Sequence, residues 1–596
     1  MKKRLSIILS ALGTVLLITA GSARSETDNS KAFEGYTLFS TLNGTTTYLI
    51  NLDGEVVHTW EMDSSAAFST YFLDNGHLLR SASRGGGMGG FGGGFGGGFG
   101  GGFGQGQRRG AGAAPEASDE PRPPSGIGAG GKIQEIDWDG NIVWEYEYAT
   151  DTQVPHHDIE RMPNGHILLI SWDARSSEEA IAAGRKPEYQ TGELHPDAII
   201  EIQPADDNTW EVVWEWKVWD HLIQDTDPEK PHYGKVSEHP ELIDINYSEN
   251  WADEPAQGGG QANRGGGMGG FGGMGGGMGG GMGGGRMPIA DWTHLNAIDY
   301  NAELDLIIVS SYSFSEIWVI DHSTTPEEVK GHTGGTHGKG GDLVYRWGNP
   351  AAYKQGTNDD QTLFSPHDIQ WIADGLPGAG HMLIFNNGPN RPDGQYSSVE
   401  EFILPLDEQG RFKMDGARFA AVEPVWQYMD PDNKTDFYGM NISGAQRLPN
   451  GNTLICVGPK GHFFEVTPAK ETVWEYSYSA PAGAGRGGMG ARGAFGGGPA
   501  MQAPGAAAAD AAPDPDAPGN AAPAGPGGAV AGARGRPGGN TAMAGGAGRG
   551  GARGFGGMGG GFGMANQIFR AYRIPADHPG LKDKELVPEK QDAGEE

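Results

Sequence analysis

The sequence predicts an all-β fold, a six-bladed β-propeller, and three observations carry that reading. A four-strand pattern recurs along the chain, an Asn-Gly or Asp-Gly turn falls at a fixed place in most copies, and unmatched strands near the two ends complete one further copy. Four short antiparallel strands per copy is the signature of a propeller blade.

The pattern is plainest in the second copy, where HHDIERMPNG, HILLISW, AIIEIQP and EVVWEWKVW run from His156 to Trp219. The first strands align as FSTYFLDNG from Phe68, HDIERMPNG from His157, THLNAIDYNAELD around His294, HDIQWIADG from His367 and SGAQRLPNG from Ser443. Each leads into an apolar strand, HLLRSA, HILLISW, LIIVSS, HMLIFNN and NTLICVG in turn, and then into closing strands rich in Val and Trp. Five blades follow. The sixth is split, because YLINLDGEVVHTW has outer strands without an inner one and NQIFRAYRI is an inner strand without partners. Joining them closes the ring and removes open sheet edges, a split that neither a solenoid nor a two-sheet sandwich calls for.

Of the 596 residues 104 are glycine, concentrated in tracts at 85–131, 258–286 and 482–564 that carry GGF and GGM repeats or Ala, Pro and Gly. Such segments bury too little apolar surface to offset chain entropy and are expected to be disordered insertions. The first tract falls between the second and third strands of a blade, the other two between a fourth strand and the next first strand. In an up-and-down blade both connections emerge where inner strands begin, so all three tracts should spring from one face.

The start MKKRLSIILSALGTVLLITAGSARSE pairs the cationic Lys2-Lys3-Arg4 with an apolar run from Leu5 to Ala20 and small residues before the cut, the layout of a cleaved export signal over 1–23. The propeller is expected over 34–581 and an acidic tail over 582–596. No later stretch is apolar enough to span a bilayer, so a periplasmic or secreted protein is expected. A formal charge of −33 makes nucleic acid an improbable partner. The single cysteine, Cys456 in TLICVG, reads as a buried strand residue.

Counting back seven residues from the turn puts Phe68, His157, His294, His367 and Ser443 at one repeat position in the five blades. Side chains alternate along a strand, so equivalent positions share a direction, and the three histidines should meet at one mouth of the channel with Ser443 and Phe68 flanking them. Asn296, Tyr312, Asn387 and Arg391 reach the same rim, and Lys460 follows in the fifth blade. His156, with no counterpart, is expected to point the other way as a structural or supporting residue. His166, His381 and His462 read as hydrogen-bonding straps. Imidazole is nucleophile, proton carrier and metal ligand, so the cluster alone leaves the chemistry open.

The runs WTHLNAIDYNAELDLIIVSS, FSPHDIQWIADG with LIFNNG, and LPNGNTLI followed by FFEVTPAKETVWEY resemble the bacterial arylsulfotransferase family of six-bladed propellers. The resemblance runs from about Tyr48 to Leu581, interrupted by the glycine tracts. It implies transfer of a sulfuryl group from a small-molecule aryl sulfate to a phenolic acceptor, without a cofactor, through a sulfohistidine. On that resemblance His367 is the nucleophile, while His157, His294 and Asn296 hold sulfuryl oxygens and shuttle the phenolic proton. Where the family has an arginine just after the third-blade strand, this chain has Tyr312, and Arg391, Arg570 or Arg573 would have to supply a fixed charge. Two other classes stay open. One is a metal-dependent enzyme with His157, His294 and His367 as ligands, the other a non-catalytic binding propeller with the glycine tracts as arms.

Overall fold

A computed structural model describes residues 29–588 apart from 43, 85–123, 125–127, 191, 206–208, 248–289 and 481–565. The expected signal, nearly all of the three glycine tracts and the end of the acidic tail lie outside the described residues.

Six four-stranded antiparallel sheets form the blades. The first comprises Ala66–Phe72, Leu78–Ser83, Gly131–Ile136 and Ile142–Glu147. The second comprises Gln153–Arg161, Ile167–Asp173, Asp197–Pro204 and Trp210–Lys217. Leu295–Asn301, Leu306–Ser311, Glu316–Asp321 and Tyr345–Trp347 make the third. His367–Trp371, Met382–Asn386, Ser398–Phe402 and Trp426–Tyr428 make the fourth. The fifth is Gly444–Arg447, Thr453–Val457, His462–Val466 and Thr472–Ser477. In the sixth, Ile568–Pro575 lies beside Gly35–Thr41, Thr46–Ile50 and Val56–Glu61, so the C-terminal strand closes the ring as expected. Gly35–Thr41 is a strand that the repeat pattern did not isolate.

Apolar side chains fill the spaces between neighbouring sheets. Ile170, Ile199 and Trp216 of the second blade pack with Ile307, Val309 and Trp318 of the third, and every one of these is fully buried. Cys456 is buried among Phe39, Leu454 and Phe463, where burial pushes its thiol up.

Polar straps repeat as regularly as the apolar packing. A residue just before the second strand, His77, His166, His381 or Asn452, bonds a third-strand carboxylate of its own blade, Glu135, Glu201, Glu401 or Glu465. A cation or imidazole of the next blade reaches the same carboxylate: Arg161, His322, Arg447 and Arg573. His166 and His381 are thus halves of inter-blade straps, whereas the Nε2 of His462 finds no hydrogen-bond partner. A second series lies along the axis. Asp158 accepts from the Ile298 amide, Asp299 from Trp371 and Asp368 from Ala445, each carboxylate reaching the next blade's inner strand.

The inner strands are not plain pleated strands. Phe68, His157, His294 and Ser443 take left-handed backbone, with φ of 97°, 58°, 48° and 84°, and in the fourth blade Ser365 and Asp368, flanking His367, do so at 51° and 57°. The pairing register shifts at these points between Ala66 and Thr70, Pro155 and Ile159, Leu295 and Ala297, and His367 and Gln370. Non-glycine residues with positive φ are strained and cluster at functional sites. The repeat position picked out by sequence is a recurring bulge.

Candidate active site

The bulges bring the three histidines together. The rings of His157 and His294 stand edge to face with centroids 4.6 Å apart, and Tyr312 lies between His294 and His367 at 5.1 and 5.4 Å. His157 and His367 are buried, while the His294 side chain retains 13% exposure.

Each imidazole has its Nδ1 engaged by a different kind of partner. His367 meets Asn387 Oδ1 at 2.8 Å, and Asn387 Nδ2 donates to the carbonyls of Gly439 and Ile442 at 2.7 and 2.9 Å. Because those two carbonyls require the amide nitrogen, Oδ1 is the acceptor and His367 must carry its proton on Nδ1. Its Nε2 is then a lone pair, met by the Ile442 amide at 3.2 Å. Burial, with smaller contributions from His294 and Arg570, drives the His367 pKa down to about 3, so this ring is neutral at ordinary pH.

His294 is held in the opposite state. Its Nδ1 donates to Asp291 Oδ2 at 2.6 Å. Burial opposes its charge, but Asp291, with help from Asp197, outweighs it and raises the His294 pKa. Burial opposes ionisation of Asp291, yet its pairing with His294 holds it down at about 2. The site therefore contains one imidazole tuned toward the cation beside two tuned to stay neutral, the separation of environments that assigns acid and base roles.

His156 turns toward the cluster. Rather than pointing away, its Nδ1 lies 2.7 Å from His157 Nδ1 and its Nε2 2.7 Å from Asp197 Oδ1. The left-handed φ at His157 breaks the alternation, so two consecutive imidazoles meet. Asp197 also accepts from Thr293 Oγ1 and the Leu295 amide, which fixes it as the acceptor for His156 Nε2–H. One proton then bridges His156 Nδ1 and His157 Nδ1. Burial, His294 and His156 all push the His157 pKa well down.

The other residues expected at the rim are committed elsewhere. Asn296 donates to the Pro366 carbonyl and accepts from Ser310 Oγ, tying the third blade to the fourth. Ser443 Oγ donates to the Asn441 carbonyl and accepts from the Gly458 amide. Arg391 bonds Tyr396 O and Ser398 Oγ and lies 3.7 Å from Glu400, within its own blade. Arg573 belongs to the strap at Glu465, and Lys460 reaches the Asp436 carbonyl.

Arg570 occupies the axis. Its Nη1 lies 2.7 Å from Asp158 and 3.1 Å from the Tyr71 hydroxyl, its Nε 2.8 Å from Asp368, and its Nη2 bonds the Asn296 carbonyl at 3.0 Å. This one guanidinium of the sixth blade thus joins the first four. The aspartates that follow His157 and His367 in the HDI runs consume its charge.

An apolar wall borders the same histidines. Phe68 stacks on Phe569 at 4.9 Å and stands edge-on to His157 at 5.0 Å. Leu42 and Ile442 complete the cluster. Described residues at the end of the first glycine tract and just after the other two border the site. The Gly128 carbonyl accepts from the His157 amide, Asp291 follows the second tract and Phe569 the third. A Cβ on Gly128 would lie 2.9 Å from the Phe68 ring and 3.0 Å from that of His157.

Sequence reasoning missed Asp291, Asp197, Phe569 and the central place of Arg570. Only Asp291, three residues before His294, carried a local signal. Among the described residues, histidine and carboxylate donors converge in a group of three within 4.8 Å at His221, His332 and Asp342, and not at the channel histidines.

The fold and site define a six-bladed propeller whose inner strands bring a histidine cluster together. A family profile described as Arylsulfotransferase (ASST) matches residues 24–482, and the chain belongs to that family. The match ends before the closing strand that carries Arg570. No curated protein matches the chain. Among solved structures, a protein of unknown function from Bacteroides caccae is 12% identical and covers 75% of this chain and 94% of its own, with a TM-score of 0.35. The Cps50 (Swd1) β-propeller domain of Myceliophteria thermophila is 8% identical over 75% and 88%, TM-score 0.31. Virginiamycin B lyase from Staphylococcus aureus is 10% identical over 75% and 86%, TM-score 0.29. Likenesses this distant carry nothing about chemistry, and the propeller rests on the six sheets themselves.

Proposed function

We propose that this protein moves a sulfuryl group from an aryl sulfate to a phenolic acceptor through a sulfohistidine on His367, without a nucleotide cofactor. One observation carries the reading: a neutral imidazole with a fixed Nε2 lone pair shares the site with an imidazole held toward the cation by Asp291.

In the first half-reaction the Ile442 amide releases His367 Nε2, which forms a bond to sulfur as the sulfur–aryl-oxygen bond breaks. The departing phenolate takes the Nε2 proton of His294. In the second half, neutral His294 removes the proton of the incoming phenol, whose oxygen attacks sulfur as the nitrogen–sulfur bond breaks. A covalent intermediate divides one transfer into two, and a matched acid–base group contributes roughly 10²–10⁴-fold. His157, kept neutral chiefly by burial and oriented by its contact with His156, borders the reacting group, and the Phe68–Phe569 wall offers an aromatic face. With Tyr312 in the arginine's place and Arg570 neutralised, the positive charge available to the sulfate is that of His294. The export signal read in residues 1–23 supports action outside the cytoplasm. No helix among the described residues is long and apolar enough to cross a membrane.

The test is turnover of a chromogenic aryl sulfate with a phenol acceptor. We expect activity in the wild type and its loss in His367→Ala. Unchanged turnover in that variant contradicts the nucleophile assignment.

A further inference from the structure

A second cluster lies away from the channel, where the second blade passes into the third. His221 ends a short 3₁₀ turn, Val218–His221, after the second blade's outer strand. His332 and Asp342 belong to the excursion between the third blade's last two strands, in the run GHTGGTHGKGGDL. Both imidazoles approach one oxygen: His221 Nδ1 and His332 Nδ1 each lie 2.8 Å from Asp342 Oδ1.

We propose that His221, His332 and Asp342 form a divalent-cation site of the zinc class, unrelated to sulfuryl transfer. Two imidazole nitrogens and a carboxylate oxygen are the donor set such ions select, with water completing a tetrahedron.

The cluster is built rather than incidental. His221 is fully buried and lies parallel to the Trp216 ring at 5.7 Å, which restrains its rotation. Trp216 Nε1 also donates to the Gly341 carbonyl at 2.6 Å, fixing the backbone beside Asp342. Gly341 admits no side chain, because a Cβ there would stand 2.0 Å from the Val329 carbonyl oxygen and 2.6 Å from His221 Nε2. That same space adjoins a polar atom left unsatisfied. When Nδ1 donates to Asp342, Nε2 is a buried lone pair without a partner, bordering the space that a carbonyl oxygen also borders. Coordination through Nδ1 would place the ring proton on Nε2, on the side away from Asp342. Asp342 is buried, whereas the His332 side chain is 60% exposed and gives the ion a route in from solvent. The ion would clamp the excursion of the third blade to the end of the second.

Zinc chloride titrated into the chelator-treated full-length protein tests this by calorimetry and thermal melting. We expect one equivalent bound and a melting temperature raised by ~2–4 °C at saturating metal. Binding should fall at least tenfold in His332→Ala, whose exposed side chain can be removed without unfolding the chain, and in Asp342→Asn. It should persist in His239→Ala and in His367→Ala, which separates this site from exposed histidines and from the channel. No saturable uptake by the wild type, or uptake unchanged in both His332→Ala and Asp342→Asn, overturns the proposal.

Discussion

Asn387 accepts the Nδ1 proton of His367 while its own amide nitrogen is spent on the carbonyls of Gly439 and Ile442. One side chain therefore decides which nitrogen of the proposed nucleophile carries the lone pair. Asn387→Ala frees the ring and the tautomer, and Asn387→Asp sets a carboxylate against two carbonyls. We expect both variants to lower kcat by roughly 10²-fold or more with little change in KM, the pattern of a mispositioned tautomer. Steady-state kinetics with a chromogenic aryl sulfate checks it.

Asp291 raises the pKa of His294 and so favours the protonated form of the proposed general acid. In Asp291→Asn that pKa falls, and the alkaline limb of the pH–kcat/KM profile should move to lower pH. The loss should be larger with phenyl sulfate, whose leaving group needs the proton, than with 4-nitrophenyl sulfate. Profiles for the two donors measure the difference.

Arg570 holds Asp158 and Asp368 together across the axis. Arg570→Met leaves two buried carboxylates facing each other and should cost about 3–5 kcal/mol, seen as a lowered denaturation midpoint. Adding Asp368→Asn to that variant should restore part of the loss.

Asp299 sits beside this cluster, and burial, reinforced by Asp158 and Asp368, raises its pKa to about 7 despite bonds from the Trp371 and Tyr300 amides. A carboxyl raised above its unfolded value of about 3.9 stabilises the fold while protonated, and that stabilisation fades as pH climbs toward 7. Against Asp299→Asn, which lacks the titration, the wild type should lose ground progressively from about pH 4 to about pH 7. Thermal melts of the two proteins across that range give the difference.

The repeat was legible because blade strands carry period-two apolar patterns and fixed turns, and its split sixth copy was legible because the terminal strands lacked partners. The histidine triplet was legible for the same reason, as one position counted from one turn. Side-chain direction was not: the left-handed residues at His157 and His294 carry no composition signal of their own, so strict alternation misdirected His156. Nor was commitment. The polar atoms of Asn296, Ser443 and Arg391, read from sequence as rim residues, serve neighbouring backbone and side chains, which period and turn counting do not reveal. Asp197 is 41 residues from His156, and Arg570 is 412 from Asp158. Pairings of that range are made by the ring.

The covalent intermediate is the central claim. Mixing the protein with an aryl sulfate and no acceptor, quenching in alkali and sequencing the peptides by mass spectrometry tests it most directly. The account predicts a burst of one phenol per chain and the mass of one sulfuryl group on the peptide containing His367, absent in His367→Ala. A burst with the added mass on another histidine, or turnover with no protein-bound sulfuryl group, would contradict it.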